Sequence, residues 1–343
     1  MPKKAFTKGV FMKKGIGIVA IGLLVATAVF SNGTQEVTEA TRENPLRLKL
    51  ADNSPISTPL CAANNKFAEF VAESTDGAII IEVYPDAQLG NENETLEQVK
   101  AGVLDMTRVN IIQLAQYDSN FQVFNMPYIF TDDAQRWAVC DGEIGQSLAQ
   151  EFNDITGMHL LSYLDSGWRC FYTTKKAVKS LADLEGMKIR VMSSDANIAM
   201  IDSFGAVATP MAYSDVFSAL QTGVIDGAEN DYVSYDTSGH FEVANNYTED
   251  RHTASFGVVL LSDKAKAKLT DAQYEAICEA AKKAALWQRE AMVQKENESK
   301  EKVIASGCTI HEVDVSEFQE IVAPVYEKYS DLAPLVKAIR AVK

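Results

Sequence analysis

Leu46, Leu48 and Leu50 alternate with polar neighbours, the period of a strand, and Leu60, Ala63, Phe67, Phe70 and Val71 then recur at helical spacing until Gly77. Ile79 to Val83 reads as a second strand, Glu94 to Ala101 as a helix closed by Gly102, and Asp105 to Asn110 as a third strand. The second half repeats the rhythm. An apolar strand spans His159 to Leu164, another spans Met187 to Val191 after the turn Leu184-Glu185-Gly186, and helices start at Asp195 and Asp215. Such alternation predicts α/β layers arranged as two lobes.

One helix stands apart. Thr270 and Gln273 form a capping-box pattern, and nothing breaks the helix from Asp271 until Gly307. At 1.5 Å per residue it would reach roughly 54 Å and cross both lobes. Its midsection, Gln294 to Lys302, is polar on every side and is expected to be solvated.

The N-terminus carries a different pattern. Five lysines (Lys3, Lys4, Lys8, Lys13, Lys14) precede the apolar run Gly15 to Phe30, and no acid occurs before Glu36. The run is shorter than the ~20 residues that span a bilayer. These are the marks of a secretory signal peptide over residues 1–31, starting at Met1 or Met12. Residues 32–44 then read as a flexible leader, and the product is expected in the periplasm.

The 343 residues, 47% of them hydrophobic, suffice for two ordinary domains. The formal charge is -15; removing residues 1–31 takes away five lysines and no acid, leaving 27 basic against 47 acidic residues and a charge of -20. That balance argues against a nucleic-acid partner. Five cysteines without a CxxC read as buried thiols, with one bridge left open.

Enzyme signatures are absent: there is no HExxH, no GxSxG and no P-loop, and the four histidines have no metal-site spacing. Gly15-Ile16-Gly17-Ile18-Val19-Ala20 falls within the signal. Asp132-Asp133 suits a helix cap. Neither a cofactor nor a metal is expected.

Arginine set in apolar sequence is more informative. Arg169 lies within Gly167-Trp168-Arg169-Cys170-Phe171-Tyr172, and Arg190 within Met187-Lys188-Ile189-Arg190-Val191. A buried guanidinium keeps its charge and demands acceptors. Taken singly, each is met more readily by an internal salt bridge or by stacking on Trp168; two such arginines in one lobe shift the balance toward a ligand carboxylate, which planar forks suit. Asn230 ends a short strand after the Gly223 turn, at the carboxyl edge where α/β sheets bind ligands.

Together with the export signal, Lys66-Phe67-Ala68-Glu69, Tyr84-Pro85 through Gln88-Leu89-Gly90, Met126-Pro127-Tyr128, the run Asp183 to Val191 and the run Ala219 to Asn230 resemble the DctP-type solute-binding proteins of tripartite ATP-independent periplasmic (TRAP) transporters. The resemblance implies a two-domain periplasmic binding protein fold with a hinge and a long helix spanning both domains. The domains would be residues 45–167 with 256–290, and residues 168–255 with 291–343. It also implies a monomer that delivers an organic acid to small and large membrane permease subunits. Arg190 matches the arginine that clamps the ligand carboxylate, Arg169 a second carboxylate contact, and Asn230 a cleft asparagine. Asn53, Glu92, Asn110, Ser193 and Tyr213 fall on positions that line the cleft in sialic-acid-binding members. The sequence departs from the family at Met192, where proline is usual, and at Ile56-Ser57-Thr58-Pro59, where a histidine-proline pair is common.

Three further runs are similar to members that bind hexuronates such as glucuronate and galacturonate: Leu104 to Asn110, Tyr163 to Arg169, and Glu229 to Tyr235 continuing to His240. The expectation is a solute-binding protein with two arginines facing a shared gap. The alternatives are a secreted uronate-processing enzyme, which would need a general base near the cleft, and the ligand-binding module of a sensor.

Overall fold

Leucine alternation does form the first strand, β1 (Leu46–Asp52), with Leu48 and Leu50 buried. The computed structural model describes residues 40–343, so the expected signal peptide over residues 1–31 lies outside the described residues. Helix α1 (Pro59–Ser74) starts where the Thr58 side chain accepts the Cys61 N–H, and it buries Leu60, Ala63, Phe67 and Val71. Then come β2 (Ile79–Tyr84), α2 (Glu92–Lys100), β3 (Met106–Asn110), α3 (Asp133–Asp141) and α4 (Glu143–Thr156). Asp132 caps α3 by accepting the Gln135 N–H.

The second half supplies β4 (Met158–Thr173), β5 (Lys188–Val191), α5 (Asp195–Ser203), β6 (Val207–Pro210), α6 (Val216–Thr222), β7 (Gly227–Asn230), α7 (Tyr232–Thr237) and β8 (Asn246–Ser262). Then follow α8 (Asp263–Lys266), α9 (Asp271–Ala305), β9 (Thr309–Glu312) and short C-terminal helices α10 (Ser316–Ile321), α11 (Ala323–Lys328) and α12 (Ala333–Ala341). All five cysteines are unbonded, and four are buried. Among the described residues no helix is long and apolar enough to cross a membrane.

One mixed sheet of nine strands organises the chain, in the order β2-β1-β3-β8-β4-β7-β5-β6, with β9 against β8. β1 pairs in parallel with β2 and β3, and β5 pairs in parallel with β6 and β7. The antiparallel pair β4 and β8 joins these two parallel groups. Each is long enough to serve both. Residues 158–165 of β4 pair with the β8 segment that also meets β3, whereas Cys170 to Thr173 pair with β7. Their register shifts between Asp165 and Trp168 and again between Arg169 and Phe171. Arg169 therefore sits between two irregularities, where a strand turns its side chains.

Helix α9 matches the sequence reading end to end, capping box included. It packs against α1, β4 and α7, and so reaches both parallel groups. Its midsection is largely solvated, as expected: Gln294, Asn297, Glu298, Glu301 and Lys302 are exposed, and Ser299 is the exception. Ser299 is fully buried and donates to Asp236 Oδ2 at 2.9 Å, while Lys300 and Lys302 pair with Glu249 and Asp236. These contacts tie the helix to α7 and β8.

Candidate ligand-binding site

The parallel strands of both groups run with their carboxyl ends toward one cavity of about 380 Å³, lined among others by all eight residues singled out from the sequence. From the first group come Asn53 after β1, Glu92 at the start of α2, and Asn110 at the end of β3. From the second come Arg169, Arg190, Ser193, Tyr213 and Asn230. Met292 of α9 and Ser166 of β4 also line it.

Arg190 is 97% buried yet has no carboxylate partner among the described residues, since its relative exposure is 3% and its hydrogen bonds go to a carbonyl. Nε and Nη2 donate to Met211 O at 3.2 and 2.8 Å, which leaves Nη1 without a protein acceptor. Burial and then the like charge of Arg169 hold its pKa below the usual arginine value. The face of Tyr213 lies 5.9 Å from its guanidinium carbon.

Arg169 corrects the expectation of two open forks. Its Nε and Nη2 bind the Glu229 carboxylate, Nη2 also reaches Glu229 O at 2.6 Å, and Nη1 donates to Asn230 Oδ1 at 2.9 Å. The internal salt bridge that the sequence left open is thus realised here. Burial alone would lower the Arg169 pKa, but Glu229 raises it, while Arg169 and His252 bring Glu229 down to about 2 against its own burial. Trp168 stacks with Arg251 and Arg136, at 4.5 and 5.4 Å, and not with Arg169.

The other side chains offer less than their positions suggest. Asn230 Oδ1 accepts from Arg169 and from its neighbour Asp231 N, so Nδ2 remains as its donor. Asn110 is engaged twice, donating to Ser255 Oγ at 2.8 Å and accepting Ile112 N at 3.1 Å. Tyr213 turns its hydroxyl to Ser238 Oγ, 2.5 Å away. Ser193 is exposed. Glu92 Oε1 accepts from Asn110 N and Arg108 Nη1, which leaves Oε2 for a further donor.

The family model for bacterial extracellular solute-binding proteins, family 7 (DctP), matches residues 50–332. The chain belongs to that family. A solute-binding protein of Chromohalobacter salexigens is 37% identical over 286 residues, covering 83% of this chain and 85% of the relative. Among solved structures, a TRAP periplasmic solute-binding protein from Roseobacter denitrificans with bound β-D-glucuronate has a TM-score of 0.84 at 35% identity, covering 87% of this chain and 100% of that one. One from Xanthobacter autotrophicus with bound β-D-galacturonate has a TM-score of 0.83 at 35% identity, covering 86% and 100%. The function is solute capture for TRAP transport, in a family that works in the periplasm.

Sequence reasoning gave no role to Arg108 or Ser166, and read His240 chiefly as a surface or supporting group, yet this family 7 protein places all three at the cavity. Arg108 lines it, buried, with Nε on Asp52 Oδ1 at 2.9 Å and Nη1 on Glu92 at 3.3 Å; its Nη2 reaches Asp52, Asn53 and Ser54. The signal was present: a charge at the centre of Met106-Thr107-Arg108-Val109-Asn110, like that of Arg190 in its own strand. His240 lines the cavity with Nδ1 2.8 Å from Tyr172 Oη; burial and then Arg190 push its pKa down to about 3, so the ring is neutral. Ser166 Oγ is buried there without a hydrogen-bond partner in the protein. Among the described residues no cluster of three or more His, Cys, Asp or Glu is arranged to hold a metal ion.

Proposed function

We propose that the cavity binds a hexuronate, with its carboxylate on Arg190 and its hydroxyls against the wall built by Glu92 and Asn53. The observation that carries this reading is Arg190 itself, a buried guanidinium that pairs with no carboxylate among the described residues. An anion that occupies Nη1 supplies the missing counterion, and Arg169 Nη1 with Asn230 Nδ2 adds donors beside it. Charge-assisted hydrogen bonds contribute roughly 1.5–3 kcal/mol each, so three of them account for much of the ~8 kcal/mol of a micromolar complex. Glu92 Oε2 across the cavity suits hydroxyl donors. The volume falls in the usual range for small-molecule sites. The bound glucuronate and galacturonate of the two similar structures support the same ligand class.

In this reading, residues 45–167 with 256–290 and residues 168–255 with 291–343 act as two lobes that close on the sugar acid without turning it over. The register shifts of β4 near residues 165–168 support that division. The closed form then docks, as a monomer released from its signal peptide into the periplasm, on the two membrane permease subunits. Calorimetry with D-glucuronate, D-galacturonate and D-glucose tests the ligand assignment. Micromolar or tighter binding of a uronate and at least hundredfold weaker binding of glucose are expected; equal affinities would refute the carboxylate clamp.

A further inference from the structure

Behind the cavity, four ionisable groups form a buried chain across three strands. Arg169 of β4 binds Glu229 of β7. Glu229 Oε2 lies 3.5 Å from His252 Nε2, an ion-pair separation, and His252 Nδ1 lies 2.6 Å from Asp250 Oδ2 on β8. The side chains of His252, Glu229 and Asp250 have no solvent exposure. The imidazole ring stacks on Phe171 at 4.6 Å, and its backbone carbonyl accepts Tyr128 N at 2.8 Å. Tyr128 adopts a left-handed conformation, φ 56°, that a bulky residue rarely takes. The ring is held on one face by Phe171 and at its two nitrogens by Asp250 and Glu229.

Charge bookkeeping along the chain turns on that ring. With His252 protonated, Arg169, Arg190 and His252 face Glu229 and Asp250, and these five side chains hold one positive charge in excess. With His252 neutral, the excess vanishes, and Asp250 becomes a second buried acid without a cation of its own. Burial opposes the proton on His252, but Asp250 and then Glu229 outweigh it and bring its pKa to about 9. The neighbouring cation, Arg251, is exposed and lies over Trp168. Cys170 and the Tyr128 hydroxyl, both close to Asp250, are held protonated by burial. Asp231, near Arg169, has a raised pKa and does not line the cavity.

We propose that His252 is a positioning residue for the carboxylate site: as an imidazolium it shares Glu229 with Arg169 and so keeps the cavity wall net cationic. The inference rests on the reading of the cavity as a carboxylate site. Proton and ligand then favour each other, and the coupling is reciprocal. Uronate affinity holds up to about pH 8 and falls about tenfold through pH 10, while binding raises the His252 pKa by about one unit.

Three measurements test it. Nitrogen-15 NMR of the histidines should show His252 titrating near pH 9 in the ligand-free protein and higher with D-glucuronate. Calorimetry at pH 9 in buffers of different ionisation enthalpy should show proton uptake on binding. In His252→Gln, affinity at pH 7 should fall about tenfold, the alkaline decline should flatten and the proton uptake should disappear. Titration of His252 below pH 7.5, or binding at pH 9 without proton uptake, overturns the proposal even if His252→Gln does not fold. Failure of the wild-type protein to bind either uronate instead overturns the ligand assignment, and the NMR titration distinguishes the two.

Discussion

The two walls of the cavity each bury an arginine in the middle of a short parallel strand, and they use it in opposite ways. Arg108 on β3 is enclosed by its own acids, Asp52 and Glu92, and these two outweigh burial and raise its pKa. Arg190 on β5 meets only a carbonyl, and burial lowers its pKa. The first wall therefore has more carboxylate than cation and serves as an acceptor surface. The second has more cation than carboxylate. A molecule with hydroxyls at one end and an acid at the other has a single electrostatically sensible orientation between them. The comparison also shows why burial of an arginine says little by itself: what matters is whether the protein supplies the counterion.

Removing Arg190 should break that asymmetry most completely. Arg190→Ala takes away the cation proposed to hold the ligand acid, and truncating one partner of a buried charge pair costs about 2–5 kcal/mol. A uronate affinity loss of a hundredfold or more in calorimetry is expected. Because the side chain satisfies no carboxylate, the ligand-free melting temperature should stay within a few degrees of wild type. A variant that binds normally would place the acid elsewhere, and one that unfolds would make Arg190 structural.

Arg108→Met should produce the mirror image. It strands Asp52 and Glu92 in a buried wall, and breaking a buried pair in this way costs about 3–5 kcal/mol. The expected outcome is a large fall in melting temperature, with weaker binding following from the misplaced Glu92 and Asn53. If this variant were as stable as wild type while losing only affinity, the two arginines would not differ in role as their contacts indicate.

How much of this was legible follows from how local each signal is. Helix α9 could be read because Thr270, Gln273 and Gly307 mark its ends within a few residues. The burial of Ser299 within its solvated midsection could not, since Ser299 and Lys302 are matched by Asp236, more than sixty residues earlier. Strand β8 went unread because its first half, Asn246 to His252, is polar and is buried through pairing with β4 and β9 rather than through an apolar face. Arg169 and Arg190 stood out as charges in apolar runs. That Glu229 would claim the first and nothing the second depends on β4 and β7 lying side by side, which pairs Phe171 with Glu229. His252 depends on the same three-strand assembly.

The smallest expected effect separates residues that line the cavity from those that act in it. Ser193 follows β5 at the cavity rim, as the family resemblance implied, but it is solvent-exposed and its hydroxyl makes no hydrogen bond among the described residues. An exposed hydroxyl that reaches the ligand exchanges one hydration partner for another, so its net contribution is about 0.5 kcal/mol. Ser193→Ala should therefore change uronate affinity by about twofold and leave the melting temperature unchanged. A tenfold loss in the same calorimetric titration would mean that Ser193 turns inward when the lobes close, and the second wall would then hold the sugar by more than its charge.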